Sequence, residues 1–237
     1  MSSTNNPGRV AGFLYLLLLA APLRLIYIPS KLFVYGNATA TANNIAAHET
    51  LFRFGIAGDL FTGTMVIFVA LALYRLFKGV DQNQAVLMVI LGGVLPSAIY
   101  FFNVLNDAAA LTLARGTDFL SVFEKPQRDA LAMLFLRLHH QEVAAAEIFW
   151  GLWLFPLGVM TYRSRFLPRS LGVWLIINGC AYLAMSFTGL LVPQYENMVS
   201  NFAFPAQLGE LAFMLWLVIK GANPKPVVAP ASSSAGG

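Results

Sequence analysis

Charged residues are scarce in this chain, and the scarcity restricts its fold class more than any other property. Asp, Glu, Lys and Arg make up 11% of the 237 residues, whereas a soluble domain usually contains about 25%. So few charges cannot cover a water-facing surface, and 58% of the residues are hydrophobic. The composition therefore excludes an ordinary water-soluble domain and predicts an integral membrane protein.

Cysteine and the common catalytic motifs are also nearly absent. The chain has one cysteine, Cys180, which excludes an internal disulfide and a cysteine-based metal cluster. It contains no glycine-rich phosphate loop and no nucleophile elbow. The net charge of +4 comes from basic residues at the ends of apolar runs, not from a basic patch with interleaved aromatic residues. The sequence therefore gives no support for a nucleic-acid partner, identifies no cofactor and leaves catalysis open.

Long apolar runs are the main feature that is present. Each has about the 20 residues that a helix needs to cross a hydrocarbon core of about 30 Å. Their backbone must be helical, because lipid offers no partners for free amide groups. We predict an all-α polytopic membrane helix bundle in residues 1–221, in contact with the lipid bilayer, and a disordered cytoplasmic tail in residues 222–237. The predicted transmembrane helices, about six, are Val10–Ile28, Phe54–Leu76, Ala85–Ala110, Val143–Tyr162, Leu171–Val192 and Phe202–Ile219.

The positions of Lys and Arg predict the orientation of the bundle. With a cytoplasmic N-terminus, basic residues concentrate in the short cytoplasmic segments, whereas the short outer loop Pro193–Asn201 has none. By the positive-inside rule we expect both termini to be cytoplasmic, in the cell membrane, as in a bacterial inner membrane protein. The longer outer segments are predicted to hold a surface helix at Thr39–Leu51 and a projecting helix that begins at Pro126 and runs into the fourth span.

Four segments resemble one known family over almost the whole chain. They are ATATANNIAAHETLFRFGIAGDL (Ala38–Leu60), LALYRLF (Leu71–Phe77), IFWGLWLFPLGVMTYRSRFLPRSLGV (Ile148–Val173) and ELAFMLWLVIKG (Glu210–Gly221). In these segments the chain resembles the bacterial membrane family catalogued as domain of unknown function 4386. The resemblance implies a six-span or similar helical membrane protein and carries over no catalytic residue.

Polar residues inside the apolar runs gather toward one side of the predicted membrane. Charges in a bilayer are costly, so they tend to pair, to line a wet cavity or to take part in function. Tyr100, Asn103 and Asp107 share one helical stripe, and Asp59 lies between glycines at helical spacing. We therefore predict one outward-facing polar pocket. Its candidate ligand-binding residues are Arg24, Asp59, Tyr100, Asn103, Asp107, His140, Glu147 and Glu210.

The charges of these residues indicate the class of ligand. Four carboxyl groups face one basic residue, Arg24, so either some carboxyls are protonated or a cation occupies the site. We expect a small cation, a proton or a lipid-like ligand, and ligand binding should weaken as acidification protonates the carboxylates. The protein would then be a carrier or a sensor.

Two other functions remain open from the sequence. His139, His140 and Glu147 are candidate metal ligands, which would suit a membrane-embedded enzyme acting on a lipidic substrate. Alternatively, the polar residues form separate pairs that only fix helix contacts, as in a structural subunit. The tryptophans, including Trp150 and Trp153, are predicted to be packing or lipid-facing residues. The oligomeric state is left open.

Overall fold

All the regular structure that could be described is helical, as predicted. The computed structural model describes residues 6–18 and 26–224, and no strand occurs in either range. The helices are α1 (Pro7–Leu17), α2 (Ile28–Leu32), α3 (Ala38–Ala47), α4 (Glu49–Phe77), α5 (Gln82–Val89), α6 (Leu95–Arg115), α7 (Lys125–Arg163), α8 (Arg169–Leu191) and α9 (Glu196–Ile219).

Five helical segments of the described residues are long and apolar enough to cross a membrane. They are Glu49–Phe77, Gln82–Arg115, Lys125–Arg163, Arg169–Leu191 and Pro193–Ile219. They match the last five predicted spans, apart from Val192, which lies one residue beyond the end of its helix. The membrane-bundle fold is therefore confirmed. The first predicted span, Val10–Ile28, begins in α1 but also includes residues 19–25, which lie outside the described ranges.

Local sequence signals explain where α7 begins and why it is so long. Glu124 and Gln127 form a capping box at its start, which satisfies amide groups that have no partner within the helix. Pro126 follows in the first turn, where its missing N–H costs nothing. No break interrupts the helix before Arg163, so its 39 residues extend about 58 Å. The predicted projecting helix and fourth span are therefore one element.

A π-helical turn interrupts the helix formed by α5 and α6. It covers Ile90–Val94 and ends two residues before Pro96, which cannot donate a backbone hydrogen bond. Gly92 lies against the ring of Trp153, with no room for a Cβ atom between them. Such turns often occur at functional sites, and this one brings the α6 backbone close to α7.

Helices α7, α8 and α9 pack as consecutive antiparallel neighbours. At two levels α7 and α8 approach through paired glycines: Gly151 against Gly179, and Gly158 against Gly172. A Cβ atom on Gly172 would lie 2.6 Å from the carbonyl oxygen of Gly158. Small residues at such crossings let membrane helices approach closely.

The two ends of the bundle differ in what they contain. We call the end where the N-terminal and C-terminal segments meet the terminal end. There the Gly8 amide donates to the Ala222 carbonyl at 3.1 Å, and the Ala222 amide donates to Asn6 Oδ1 at 3.0 Å. Ala222, predicted to begin the disordered tail, is therefore packed against the N-terminal segment. At the opposite end, the far end, Ile28 packs in a separate apolar core with Ile45, and α2 and α3 lie there.

Candidate functional site

The polar residues of the spans fall into three groups. The first is the aromatic cavity around Glu210, the second is a buried carboxyl cluster around Asp107, and the third is a surface pair that contains His140. The groups lie at different levels of the bundle, and they differ in burial and in chemistry.

The aromatic cavity lies among α1, α4, α6, α7, α8 and α9. Its volume is about 300 Å³, at the lower end of the range for small-molecule sites. The π-helical turn contributes Gly92 to its wall. The described lining residues are Tyr15, Leu18, Thr62, Val66, Val69, Gly92, Pro96, Tyr100, Trp150, Trp153, Tyr182, Gln207, Glu210, Leu211 and Met214.

Glu210 is the one carboxyl group among these described lining residues. Its oxygens accept hydrogen bonds from the Tyr15 hydroxyl, from the Tyr182 hydroxyl at 3.4 Å and from Asn178 Nδ2 at 3.4 Å. The three donors come from α1 and α8, so Glu210 joins α9 to both helices. The Asn178 side chain is fully buried, and its Oδ1 has no hydrogen-bond partner among the described residues.

Aromatic rings make up much of the wall that surrounds this carboxyl group. Tyr100 and Trp150 stack with ring centroids 6.2 Å apart, and Trp150 meets Tyr182 edge-on at 6.0 Å. On the other side Tyr15 meets Trp153 edge-on at 5.9 Å. Aromatic faces carry partial negative charge and attract cations. A carboxyl group among several rings is therefore a suitable environment for a positively charged organic group.

The buried carboxyl cluster brings together three side chains from three helices. Asp59 of α4, Asp107 of α6 and His139 of α7 are 5%, 0% and 8% exposed. One possible ligand atom from each lies within 4.8 Å of the other two. His139 Nδ1 is 3.2 Å from Asp107 Oδ1. Glycines on the Asp59 face, Gly55 and Gly63, are also buried, which lets α4 approach its neighbours.

Amide side chains hold the backbones together beside this cluster. Asn103 Nδ2 donates to the His139 carbonyl at 3.2 Å. Asn106 Nδ2 donates to Asn103 Oδ1 at 3.0 Å and to Glu142 Oε2 at 2.9 Å. These bonds fix α6 against α7 at the level of Asp107 and His139. Arg24, predicted to belong to the same pocket, lies outside the described residues.

His140 and Glu147 belong neither to the aromatic cavity nor to the carboxyl cluster. His140 Nε2 is 3.1 Å from Glu196 Oε1, and the imidazole is 65% exposed. This pair lines a second cavity of about 560 Å³ at the far end, together with Arg137, His139 and Tyr35. Glu147 is half-buried, and the described lining of neither cavity includes it.

The predicted pocket residues therefore lie in separate groups and do not line one common pocket. Tyr100 and Glu210 line the aromatic cavity, whereas Asn103 and Asp107 join Asp59 at the carboxyl cluster. The proposed metal set of His139, His140 and Glu147 is not the set that the structure brings together. Successive residues of a helix point about 100° apart, so His139 faces the bundle while His140 faces outward.

Four aromatic residues of the cavity were not among the predicted site residues: Tyr15, Trp150, Trp153 and Tyr182. Trp150 and Trp153 were interpreted as packing or lipid-facing. Their i, i+3 spacing, one turn beyond Glu147, was a signal that both face the same side of α7 as this half-buried polar residue. Tyr15 and Tyr182 come from other helices, and the sequence contains no local signal of their meeting.

Comparisons with known proteins agree with the fold and add no activity. The sequence model of the family described as "Domain of unknown function (DUF4386)" matches residues 10–221. A protein of Archaeoglobus fulgidus described as "Uncharacterized protein" is 26% identical over 182 residues, which is 74% of this chain and 88% of that protein. No solved structure matches the chain. Neither description states a ligand or a reaction, so function depends on the chemistry of the sites.

Proposed function

The chain belongs to the DUF4386 family, and we propose that it is a multi-pass membrane protein whose aromatic cavity binds a small organic cation, as a carrier or a sensor. The observation that carries this proposal is the position of Glu210 among aromatic rings. In the same proposal the protein lies in the cell membrane with both termini cytoplasmic, and in a bacterium this is the inner membrane.

Charge and ring geometry support a cation over an anion or a neutral molecule. A carboxylate attracts a cation, and desolvated ring faces add up to about 2 kcal/mol for each favourable cation–π contact. Tyr100, Trp150 and Tyr182 form one continuous group of rings beside Glu210. An anion in this cavity would meet like charge, and a neutral apolar molecule would gain nothing from the carboxylate.

The hydrogen bonds of Glu210 favour a quaternary ammonium group over a primary amine. Two tyrosine hydroxyls and one amide already donate to its oxygens. A primary ammonium group carries three N–H donors that need acceptors. A quaternary ammonium group has no N–H donor. The quaternary group is attracted by charge and ring faces alone, and aromatic cages are the usual environment for such ligands. The small volume favours a compact cation over a whole lipid.

The depth of the cavity favours a carrier. Glu210 lies nine residues before the end of α9 and 14 residues after its start, which corresponds to about 13 Å and 21 Å along the axis. Substrate sites of membrane carriers are typically near the middle of the bilayer, beside interrupted helices. The π-helical turn at Ile90–Val94 lies beside this cavity, where it is a local irregularity in an otherwise continuous helix.

The experiment that tests the proposal compares choline with 3,3-dimethyl-1-butanol, a neutral molecule of the same shape. Calorimetric titration of the purified protein in detergent should show choline binding and much weaker binding of the neutral analogue. Glu210→Gln should weaken choline binding by about 2–5 kcal/mol, because it removes the charge that faces a desolvated cation.

The matched control is Glu196→Gln, which changes a carboxylate on the same helix outside the described cavity lining. It should bind choline as the wild type does. Equal affinity for choline and its neutral analogue would contradict the proposal. So would a Glu210→Gln variant that binds choline as tightly as Glu196→Gln.

A further inference from the structure

We propose that Asp59, Asp107 and His139 bind a divalent transition-metal ion that joins α4, α6 and α7. The proposal does not depend on the aromatic cavity, since none of the three residues belongs to its described lining. One donor atom from each residue lies within 4.8 Å of the other two. Donors bound at about 2.0–2.2 Å to one tetrahedral ion are about 3.4 Å apart. The His139–Asp107 distance of 3.2 Å already fits this spacing, and a bound ion would draw the Asp59 carboxylate closer.

The donor set indicates which ions fit. Carboxylate oxygens suit Mn²⁺ and Fe²⁺ as well as Zn²⁺, whereas an imidazole nitrogen disfavours Mg²⁺ and Ca²⁺, which prefer oxygen ligands. Copper(I) requires soft sulfur ligands, and none of the three residues supplies sulfur. The expected ion is therefore Zn²⁺, Mn²⁺ or Fe²⁺. Three protein ligands also leave a coordination position for water or a substrate, as in catalytic zinc sites.

The surroundings of the cluster suit a fixed site. All three side chains are at least nine-tenths buried, so a bound ion would be shielded from bulk water. The bond from Asn103 to the His139 carbonyl, 3.2 Å long, fixes the α6 and α7 backbones at the level of the two ligands. This bond positions the backbone that carries His139. Hydrogen bonds made directly to metal-ligating groups typically contribute about 10–100-fold to metal affinity.

A basic side chain is the alternative source of positive charge at this cluster. Arg24 is the arginine of the first predicted span, and a guanidinium can pair with two carboxylates. The metal proposal and the arginine alternative make opposite predictions for metal content, so measurement of metal separates them.

The test is elemental analysis of the full-length protein. It is purified without a polyhistidine tag or chelator from cells grown with added Zn²⁺, Mn²⁺ and Fe²⁺. The wild type should contain near-stoichiometric metal. Asp59→Asn, Asp107→Asn and His139→Ala should each lose it by roughly tenfold or more, since losing a ligand affects binding at least as much as losing a neighbouring bond. Size-exclusion chromatography and thermal unfolding establish that each variant is folded.

Matched variants make each outcome decisive. His140→Ala changes the adjacent imidazole, and Glu210→Gln changes the cavity carboxyl; both should keep the metal. If His140→Ala loses metal while Asp59→Asn keeps it, the ligands are a different set and the proposal is overturned. Wild-type protein without metal, combined with a lowered melting temperature of Arg24→Gln, would establish the arginine alternative instead. If the three ligand variants do not fold, metal that the wild type contains and His140→Ala retains supports the proposal, and wild-type protein without metal overturns it.

Discussion

Trp150 is the side chain on which the aromatic cavity depends most. Its ring stacks on Tyr100 and meets Tyr182 edge-on, so one residue links aromatic groups of α6, α7 and α8. The carboxyl group of Glu210 lines the same cavity. A cation held by Glu210 would therefore lie within reach of several ring faces, and Trp is the strongest partner among aromatic residues.

Replacing Trp150 should weaken choline binding more than replacing a tryptophan elsewhere. Trp150→Leu removes a cation–π partner worth about 1–2 kcal/mol in a desolvated site, which corresponds to roughly a 5- to 30-fold higher Kd by calorimetry. Trp150→Phe keeps an aromatic face and should lose less. Trp216→Leu, on α9 outside the described lining, is the control. Equal losses in Trp150→Leu and Trp216→Leu would exclude a specific role for Trp150.

Sequence reasoning identified several buried polar residues but not how they group. Helical spacing correctly placed Asn103 and Asp107 on a buried face of α6, and the glycines around Asp59 correctly indicated that it points into the bundle. Depth in the membrane cannot show which helices are neighbours, so the split between the cluster and the cavity was not predictable. For the same reason the contact of Tyr15 with Glu210 was missed.

At the scale of the helices, glycine residues determine how closely α7 and α8 pack. Where α7 crosses α8, Gly158 and Gly172 bring backbone against backbone, and a Cβ on Gly172 would also lie 2.7 Å from the Tyr162 amide nitrogen. Backbone atoms of two long helices cannot move aside as a flexible side chain can. The same pair of helices brings Trp150 of α7 into edge-on contact with Tyr182 of α8 in the cavity wall.

Adding one methyl group at this crossing should destabilise the protein. Gly172→Ala should cost about 1–3 kcal/mol, as overpacking of a close-packed core does, and should lower the melting temperature followed by intrinsic fluorescence. Gly58→Ala is the matched control, because a Cβ atom there meets nothing within 4 Å. An unchanged melting temperature for Gly172→Ala would mean that the helices are not in backbone contact.

The sequence was enough to predict where the long helices lie. It was not enough to predict the irregular turn within one of them. Hydrophobic length and the absence of breakers correctly predicted the long helix α7, and Pro126 correctly marked its start. The π-helical turn was not predicted, because Pro96 is equally compatible with a simple kink. What distinguishes the two is the fit of Gly92 against Trp153, a contact between distant parts of the chain.

At the scale of the whole molecule, the first and last described segments lie side by side. Gly8 and Ala222 are hydrogen-bonded at the terminal end, while Ile28 already lies in the far-end core. Gly8 therefore lies at one end of the bundle and Ile28 at the other. Two segments at the same end, such as those of Gly8 and Ala222, are joined by an even number of crossings, and the sequence predicts about six. Composition and the apolar runs were enough to predict a helical membrane bundle, because few backbone structures other than helices can span a lipid bilayer.

Labelling of single cysteines should place the two ends of the bundle on opposite sides of the membrane. In a Cys180→Ala background, Asn197→Cys should react with an impermeant maleimide in intact cells. Ser2→Cys and Gly79→Cys should react only after the membrane is opened, because the positive-inside rule places them in the cytoplasm. Gly79 is exposed in the turn between α4 and α5. Labelling of Ser2→Cys and Asn197→Cys from the same side would refute this orientation.

The central claim is that an organic cation occupies the cavity beside Glu210. Crystals soaked with arsenocholine test it most directly, because arsenic replaces the nitrogen of choline and its anomalous signal marks the cationic centre itself. The account predicts an anomalous peak inside the aromatic cavity, between Glu210 and the Trp150 ring, that is displaced by excess choline and absent in Glu210→Gln crystals. A peak only at the surface, or a cavity peak that persists in Glu210→Gln, would contradict it.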